Sequence, residues 1–416
     1  MCHPERSEGP AFIYVKQMPY ELDTHKLSRV RALMADHHLD AIVARAPDNV
    51  LYLTNYWCMK GYDAVVFPRQ GEPTLIVIEP QLGDAHRMSW TRDIRPFKFY
   101  DERDPRPPTA RSLDLAIKVL RERGLTDRVG IELTNGAQAA DRMVGEPTVY
   151  TQPYFDAFRS VCREVADAMP ALIEARAIKT PQEIERMRLA NELAAIGMEY
   201  ARDHMKPGEH KESDIAAMIE GRIHAVGIGY KGKVEMARAF TLVWSGKGIA
   251  TFTATKDNPI QEHEPTLVEI WVCADGYWND LTKNICPGRL TSEYNKLLEM
   301  LLGVFNDAVS YVRDGAGFPE LDRRIRAGIA AGGYPGQPSH PVAHGVGARA
   351  HEPPYAHQAG TGTIRKSMVL AIEPGCYWPG GGGLRLEDNF LVTETGCEKL
   401  CSYPDDFRVF SAGTGV

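Results

Sequence analysis

The sequence predicts two domains of different fold classes. An α/β domain is expected over residues 18–165, because short apolar segments of strand length alternate there with helical patterns. An α+β domain is expected over residues 170–416, where strands alternate with a few long helices and no short repeat appears. Residues 1–17 are polar and unpatterned, which predicts a disordered tail and leaves Met18 as an alternative start to Met1.

The first domain begins with a helix in which apolar residues recur at helical spacing between Leu27 and Met34. Strands are then predicted at residues 40–44, 49–54, 64–67 and 74–78. The charged, proline-rich segment 101–108 reads as a surface loop, followed by a helix at 112–123 and a strand at 129–132. This half contains no cluster of catalytic side chains, so a structural or substrate-gating role is expected.

A clear helix start separates the two domains. Thr180 is suited to the N-cap, Pro181 to the first helical position, and Glu183 to the third position of a capping box. Further helices are predicted at 213–226, 292–312 and 319–331. The boundary between the domains is therefore expected near residues 160–175.

Composition excludes several classes of function. The 416 residues are 44% hydrophobic and 25% charged, as in an ordinary globular protein, and the net charge is −7. A negative chain is not expected to bind nucleic acid or an anionic membrane. No apolar run has transmembrane length, and the N-terminus lacks the apolar core of a signal peptide. The eight cysteines form no CxxC pair, so reduced thiols and a cytoplasmic location are expected.

Two acidic residues in the second half are placed to converge. Glu269 lies in an apolar strand that runs into Gly276-Tyr277, and Asp280 lies in the extended segment that follows. A separation of eleven residues does not fit one face of a helix, but it fits two neighbouring strands of a hairpin. The two carboxylates are therefore expected on one face of a β-hairpin.

Three more potential metal ligands follow at strand ends. His344 opens the sequence HGVG, whose glycines permit close backbone approach. Glu373 follows an apolar run and precedes a Pro-Gly turn signal, and Glu387 lies in an alternating segment. Each residue alone is typical of a solvated strand face or a turn. Together with Glu269 and Asp280 they form an oxygen-rich set that suits Mn, Fe, Co or Zn, as a two-metal site.

Two further residues have alternative interpretations. His340 either contacts substrate at the rim of the site or is a satisfied loop residue. Arg385, two residues before Glu387, either pairs with a substrate carboxylate or neutralises the acidic cluster, and the second interpretation is preferred because such clusters need a nearby cation. The run Gly380–Gly383 lacks the lysine of a phosphate loop and predicts a turn between strands.

Six motifs together resemble one protein family. They are PDNVLYLT at 47–54, AIKT at 177–180, HGVG at 344–347, AHEPP at 350–354, IEPG at 372–375 and LRLEDN at 384–389. From about Asp23 onward the chain resembles the creatinase/prolidase/methionine-aminopeptidase superfamily. The resemblance implies an α/β N-terminal creatinase-type domain followed by an α+β pita-bread catalytic domain.

The resemblance also implies roles for individual residues. Asp280 and Glu387 would bridge two divalent metal ions (Mn, Co, Zn or Fe), with the other members of the set as terminal ligands. Glu373 would also carry the proton of the attacking water to the leaving nitrogen, and His351 would donate a hydrogen bond to the substrate carbonyl. Relatives of this kind imply a homodimer as well, in which the partner's N-terminal domain covers the site.

The chain departs from the family pattern at two positions. The first ligand is ordinarily aspartate and here is Glu269, one methylene longer. A second substrate-contacting histidine of the family falls near Thr253, whose hydroxyl donates a hydrogen bond but is not a general acid near neutral pH. These departures imply an altered metal geometry or substrate preference.

Three functions are compared. The preferred hypothesis is a metallohydrolase of amide bonds, an Xaa-Pro dipeptidase or aminopeptidase that acts on small peptides. The alternative is a C–N hydrolase or lyase of a small polar metabolite, similar to creatinase or ectoine hydrolase, which Thr253 and Glu269 favour. A non-catalytic binding protein is disfavoured, because buried unpaired carboxylates are costly without a metal.

Overall fold

The structure, a computed structural model, describes residues 20–58, 60–134, 150–251 and 253–410. The predicted tail, residues 1–17, lies outside the described residues. None of the helices in these ranges combines the length and the apolar character needed to span a bilayer.

A six-stranded mixed sheet forms the first half of the chain. Its strands are β1 (Ala41–Ala44), β2 (Ala64–Pro68), β3 (Thr74–Ile78), β4 (Asp93–Phe97), β5 (Arg128–Ile131) and β6 (Glu164–Asp167), in the order β4-β3-β2-β1-β5-β6. Its helices are α1 (Thr24–Asp36), α2 (Pro47–Thr54), α3 (Leu82–Met88), α4 (Pro108–Glu122), α5 (Gln152–Arg159) and α6 (Met169–Ala177). Residues of β1, β2 and β3 are buried throughout, which explains their continuous apolar runs.

One predicted strand of this half is wrong. Residues 49–54 belong to helix α2, which is buried along its whole length, so its apolar run shows no period that separates helix from strand. Pro47 is at the start of the helix, and Glu132 accepts hydrogen bonds from the backbone N–H of Arg45 at 2.9 Å and of Ala46 at 3.2 Å. Asn55 closes the helix in the left-handed conformation, at φ 64°. These long-range contacts decide the helical state.

The second half contains two antiparallel sheets, each with a pair of helices packed on it. Its helices are α7 (Pro181–His204), α8 (Glu212–Gly227), α9 (Ser292–Tyr311) and α10 (Phe318–Ala331). The first sheet contains β7 (Ala237–Ser245), β8 (Thr266–Ala274), β9 (Tyr277–Trp278) and β10 (Leu281–Ile285). The second contains β11 (Ala343–Gly345), β12 (Glu352–Tyr355), β13 (Val369–Ile372), β16 (Asp388–Val392) and β17 (Cys397–Lys399), and a separate hairpin contains β14 (Gly375–Trp378) and β15 (Gly382–Arg385).

The predicted start of α7 is confirmed. The hydroxyl of Thr180 caps the backbone N–H of Glu183, and the Glu183 carboxylate accepts from the Thr180 N–H at 2.9 Å. Helices α7 and α8 pack on β7 and β8, while α9 packs on α10 and β13. The long helices therefore cover the outer faces of the two sheets.

The two sheets of the second half meet where β10 approaches β16. The side chain of Asn389 donates to the carbonyl of Asp280 at 2.7 Å and accepts from the Asp280 N–H at 3.1 Å. Asn284 donates to the carbonyl of Arg385 at 2.8 Å. These side-chain bonds replace a backbone ladder at the junction, and they fix the two segments that carry the acidic residues.

The turn between β8 and β9 packs against the first domain. Gly276 lies in this turn at φ +86°, and a Cβ added there would come within 2.3 Å of a methyl carbon of Leu51. Leu51 belongs to α2 and is 1% exposed, so it has no free space into which to move. Glycine is therefore required at this position by both conformation and contact.

We expect Gly276→Ala to lower the free energy of unfolding by about 1–3 kcal/mol beyond the backbone strain, because the methyl group overpacks the domain interface. Gly124→Ala is the matched control, since Gly124 also has a positive φ but has open space around it. Denaturant unfolding of both variants measures the difference. Equal losses in the two variants would show that the contact with Leu51 is unimportant.

Candidate active site

Acidic residues from both sheets converge on one buried centre. Asp280 immediately precedes β10, Glu373 follows β13, and Glu387 lies between β15 and β16. Two groups bring ligand atoms within 4.8 Å of one another: Asp280, His344 and His351, and His344, Glu373 and Glu387. His344 belongs to both groups, so the two form one continuous cluster.

His344 presents one ring nitrogen to the cluster. Its Nδ1 lies 2.9 Å from the carbonyl oxygen of Gly345, which requires a proton on Nδ1. In the neutral ring Nε2 then carries the lone pair, and it lies 3.4 Å from Glu373 Oε1 and 3.6 Å from Asp280 Oδ2. Burial lowers the pKa of His344, but Glu373 and Glu387 raise it by more, so that the pKa lies above its usual value. The neutral tautomer is the one that ligates metals.

Asp280 carries a buried carboxylate without ordinary compensation. Among the described residues, no hydrogen bond of ordinary geometry reaches either carboxylate oxygen, although His351 Nε2 lies 3.3 Å from Oδ2. Burial, together with the charges of Glu269 and Glu373, raises the pKa of Asp280 well above its usual value. The Trp271 side chain and the charge of Arg385 lower the pKa of Asp280, but by less than burial and the neighbouring acids raise it. A buried carboxylate in this state needs a cation or a proton.

Glu387 is held by the neighbouring strand. Thr282 on β10 donates its hydroxyl proton to Glu387 Oε2 at 2.7 Å, while the same hydroxyl oxygen accepts from Arg385 Nε at 2.5 Å. Burial and the nearby Asp280 and Glu373 raise the pKa of Glu387 well above its usual value. Thr282 therefore orients the carboxylate without neutralising it.

Glu373 lies between two histidines. His340 Nδ1 lies 3.1 Å from Glu373 Oε2, and His344 lies on the other carboxylate oxygen. Burial raises the pKa of Glu373, but the two histidines lower it well below its usual value. His340 is buried and its Nε2 also lies 3.2 Å from the hydroxyl of Tyr377, so it contacts the inner wall of the site.

Arg385 is the arginine that pairs with the acidic cluster. Its Nη2 lies 2.7 Å from Glu269 Oε2, and its side chain is 3% exposed. Burial lowers the pKa of Arg385, but Glu269, Tyr377 and Glu387 raise it well above its usual value. These contacts favour the neutralising role of Arg385 over contact with a substrate carboxylate.

The structure does not bring Glu269 into either group of potential ligands found among the described residues. Its carboxylate instead forms the ion pair with Arg385, at a side-chain exposure of 13%. Glu269 still lies close enough to raise the pKa of Asp280. The β8–β10 hairpin has the predicted geometry, since Glu269 pairs with Thr282 across the strands.

His351 forms the accessible edge of the cluster. Its ring stacks on that of His344 with centroids 4.6 Å apart, and its side chain is 27% exposed. Thr253, in contrast, is exposed, and its hydroxyl accepts a hydrogen bond from the indole N–H of Trp244 at 2.8 Å. Trp244 belongs to a small apolar cluster with Ile249 and Leu267, against which Tyr377 packs.

Sequence reasoning missed three residues that shape the site: Thr282, Tyr377 and Asn389. Thr282 and Asn389 each lie two residues after a predicted ligand, Asp280 and Glu387 respectively. The period of two along a strand would have identified them as side chains on the same face. Tyr377 has no such signal, because its contact with His340 depends on how β14 folds back.

The residues present fit bound divalent cations. Three carboxylates and an imidazole nitrogen converge in a buried centre. Arg385 forms its close ion pair with Glu269, at 2.7 Å, and lies farther from Glu387, at 3.7 Å. The oxygen-rich donor set suits first-row divalent ions, and a buried carboxylate without a partner is costly unless a metal binds it.

Comparisons with known proteins agree with this geometry. Residues 185–394 match metallopeptidase family M24, and residues 26–178 match the creatinase/prolidase N-terminal domain. An Xaa-Pro dipeptidase from Pyrococcus furiosus is 25% identical over 376 residues, which cover 90% of this chain and 97% of the relative. The putative dipeptidase YkvY from Bacillus subtilis is 24% identical over 396 residues, which cover 92% of this chain and 99% of the relative.

Solved structures share the fold. The prolidase from Pyrococcus horikoshii has a TM-score of 0.75 at 24% identity, covering 92% of this chain and 99% of that chain. The X-Pro aminopeptidase from Thermotoga maritima has a TM-score of 0.74 at 20% identity, covering 91% and 98%. The predicted α/β N-terminal domain and pita-bread catalytic domain are confirmed.

We expect Thr282→Val to weaken the affinity for Mn²⁺ by about 10–100-fold, because the Glu387 carboxylate loses the hydroxyl that orients it. Thr282→Ser is the control, since it keeps the hydroxyl and should bind the metal nearly as the unchanged protein does. Titration of the metal-free protein by calorimetry measures both. An unchanged affinity in Thr282→Val would remove Thr282 from this supporting role.

Proposed function

The chain belongs to metallopeptidase family M24, and we propose that it uses two divalent metal ions to hydrolyse the amide bond of Xaa-Pro dipeptides. As a member of this family the protein is a metal-dependent hydrolase of amide bonds, which agrees with the sequence-based prediction. The dipeptide substrate is proposed from the Xaa-Pro dipeptidase that matches nearly the whole chain.

One observation supports the metal site above the others. Some buried acids have a basic partner, such as Asp388, whose carboxylate lies 2.6 Å from Lys283 Nζ. Others accept hydrogen bonds instead, such as Glu212 from the Ser245 N–H at 2.9 Å. Among the residues that the structure describes, the basic groups within ion-pair distance of Asp280 are histidines, neither of its oxygens has a hydrogen bond of ordinary geometry, and the Nε2 of His344 points at the same space. We therefore propose Asp280, His344, Glu373 and Glu387 as ligands. Bound ions would lower the pKa of a water molecule and polarise the scissile carbonyl.

Glu269 completes the proposed ligand set. It is close enough to Asp280 to raise the pKa of that residue, and its ion pair with Arg385 occupies one carboxylate oxygen. The second oxygen of a carboxylate is a separate donor, and the extra methylene gives it additional reach. The positive charge of Arg385 offsets one negative charge of the acidic cluster, whether or not Glu269 binds a metal ion.

Glu373 is the proposed proton carrier. The two neighbouring histidines keep its pKa low, so the carboxylate is ionised near neutral pH and is available to accept a proton. In the proposed reaction the water oxygen bonds to the carbonyl carbon while Glu373 takes the water's proton. Glu373 then passes that proton to the nitrogen as the C–N bond breaks.

His351 is the proposed donor to the substrate carbonyl oxygen. Its partial exposure gives substrate access, and stacking on His344 keeps the ring at the edge of the cluster. A hydrogen bond from the imidazole would favour the tetrahedral state, in which that oxygen carries negative charge. His340 supports Glu373 rather than contacting substrate, because its ring nitrogens face Glu373 and Tyr377.

The second candidate is hydrolysis of another small polar amide. Thr253 favours it, because its hydroxyl is engaged by Trp244 and does not replace a histidine in proton transfer. A panel of small amides, assayed beside Xaa-Pro dipeptides, separates the two candidates. The sequence-based expectations of manganese, a homodimer and a cytoplasmic location remain predictions.

The test of the function compares two histidine variants of the full-length protein. We expect His344→Ala to lose most bound metal and nearly all Xaa-Pro hydrolysis, because Nε2 is a ligand. His351→Ala should keep its metal and lose about 10²–10³-fold in kcat, the scale for one donor to a developing oxyanion. Metal content by mass spectrometry and steady-state kinetics measure both.

Three results would each contradict a different part of this account. Full metal content in His344→Ala would show that His344 is not a ligand. Metal loss in His351→Ala would make that residue a ligand, as its position beside Asp280 and His344 permits. An unchanged protein that holds metal but cleaves no Xaa-Pro dipeptide would overturn the proposed substrate class alone.

A further inference from the structure

Five charged residues form a buried network at the interface between the domains, here called the interface ion cluster. They are Asp48, Arg176, Lys179, Arg349 and Glu352. Asp48 belongs to α2 of the first domain. Arg349 lies between β11 and β12 of the catalytic domain, and Glu352 is the first residue of β12. Arg176, on α6, reaches both acids. The cluster therefore joins the two domains through a continuous set of ion pairs.

The geometry of the cluster is specific. Arg349 contacts Asp48 with two nitrogens, Nε at 2.6 Å and Nη2 at 3.1 Å, which is a bidentate pair. Arg176 binds Asp48 with one nitrogen and Glu352 with the other, the latter at 2.5 Å, and Lys179 Nζ lies 2.6 Å from Glu352. Planar guanidinium groups fix carboxylates in direction as well as distance.

The cluster is buried and its acids are ionised. The side chains of Asp48 and Glu352 are 1% and 3% exposed. Burial raises the pKa of Asp48, but Arg349 and Arg176 hold the pKa well below its usual value. Burial likewise raises the pKa of Glu352, and Lys179 and Arg176 lower it to a net decrease. Breaking a buried pair leaves a charge without a partner, so these pairs constrain the positions of the residues that form them.

The two catalytic-domain members of the cluster flank His351. Arg349 is two residues before it and Glu352 is the next residue. The intervening turn is compact: the Gly347 N–H donates to the Arg349 carbonyl at 2.9 Å, and the Gly347 carbonyl accepts from the Trp278 N–H at 2.8 Å. The segment that carries His351 is thus held by an ion pair on each side.

Gly347 shows how closely the cluster packs against this turn. A Cβ at Gly347 would come within 2.5 Å of a carboxylate oxygen of Glu352 and 3.0 Å of the Lys179 side chain. The turn and the ion pairs are therefore in direct contact, with no room for an added methyl group between them. A shift of either flanking pair would displace His351 relative to Asp280, from which it is separated by 3.3 Å.

The first domain holds its own member of the cluster firmly. Asn49, next to Asp48, accepts from Arg176 at 2.8 Å and donates to Glu132 at 2.7 Å. Glu132 also accepts from the backbone at the start of α2. Contacts within the first domain therefore hold the start of α2, which carries Asp48.

We propose that the interface ion cluster positions His351, so that the first domain controls the reaction through Asp48 and Arg349. These two are positioning residues, because they touch neither the metal site nor the substrate position. The inference rests on the proposed function, in which His351 contacts the reacting carbonyl. It assigns the first domain a part in the chemistry, in addition to its packing role.

Hydrogen exchange tests the positioning without reference to activity. We expect Arg349→Gln and Asp48→Asn to speed amide exchange in the peptide covering residues 346–352 by about 10-fold or more, because each variant removes a charge-assisted bidentate pair. Arg349→Gln is the milder variant, since Arg176 still neutralises Asp48. It keeps the test available if Asp48→Asn, which leaves excess buried positive charge, fails to fold.

The matched control is Arg186→Gln. Arg186 is also a buried arginine at the domain interface, but it binds the Asn55 side chain and lies 3.7 Å from the ring centroid of Tyr20. It also lies 5.2 Å from the ring centroid of Tyr277, and none of these three contact residues belongs to residues 346–352. Exchange in residues 346–352 should therefore change little in Arg186→Gln, even if its thermal stability falls as far as that of Arg349→Gln.

Kinetics then test whether the effect passes through His351. With Mn²⁺-loaded protein and an alanyl-proline dipeptide, we expect Arg349→Gln to lower kcat about 10-fold with a smaller change in KM. In a His351→Ala background the same substitution should lower kcat by less than about twofold, since the residue it positions is gone. Arg186→Gln should lower kcat equally in both backgrounds, or not at all.

Each outcome decides the inference. Faster exchange in Arg349→Gln but not in Arg186→Gln, with non-additive loss of kcat in the His351→Ala background, supports it. Equal exchange in Arg349→Gln and Arg186→Gln, or independent effects of Arg349→Gln and His351→Ala, overturns it. If the unchanged protein cleaves no Xaa-Pro dipeptide, the proposed function fails, and the exchange comparison still decides whether the cluster holds the His351 segment.

Discussion

The structure depends on placing several carboxylates in the interior without an equal number of basic side chains. Several buried acids are matched by basic side chains: Asp48 and Glu352 contact arginine or lysine, and Asp388 lies 2.6 Å from Lys283 and 3.2 Å from Lys399. Asp280 is different: within the described part of the chain, the basic groups at ion-pair distance from it are histidines, and neither of its oxygens has a hydrogen bond of ordinary geometry. Since an unpaired buried charge is costly, this contrast identifies the place where bound cations belong.

The surrounding structure serves to hold those carboxylates still. Asn389 fixes the backbone of Asp280 from the opposite sheet, and Thr282 fixes the side chain of Glu387. His351 is held in turn by ion pairs that reach into the first domain. The same residues that join sheets and domains therefore contact or flank the groups that are proposed to react. In the proposed mechanism, function and domain packing are physically coupled.

The sequence predicted those parts of the structure that local patterns encode. The capping box at Thr180 and the β8–β10 hairpin follow from short-range spacing. The potential ligands at 280, 344, 373 and 387 were identified from the strand and turn signals around each of them, and the structure brings them together. The sequence mispredicted residues 49–54, because a fully buried run has no distinguishing period. It could not show that Glu269 faces Arg385, or that Arg349 pairs with Asp48 301 residues away, since those contacts exist only after the sheets and domains meet.

Anomalous diffraction from crystals of the Mn²⁺-loaded protein tests the central claim most directly. The account predicts anomalous peaks in the buried centre, with metal bonded to the carboxylates of Asp280 and Glu387 and to Nε2 of His344. A second peak bonded to Glu269 would complete the proposed two-metal site. Contradiction would come from a metal-soaked crystal with no peak beside Asp280 and with that carboxylate bound only by protein or water.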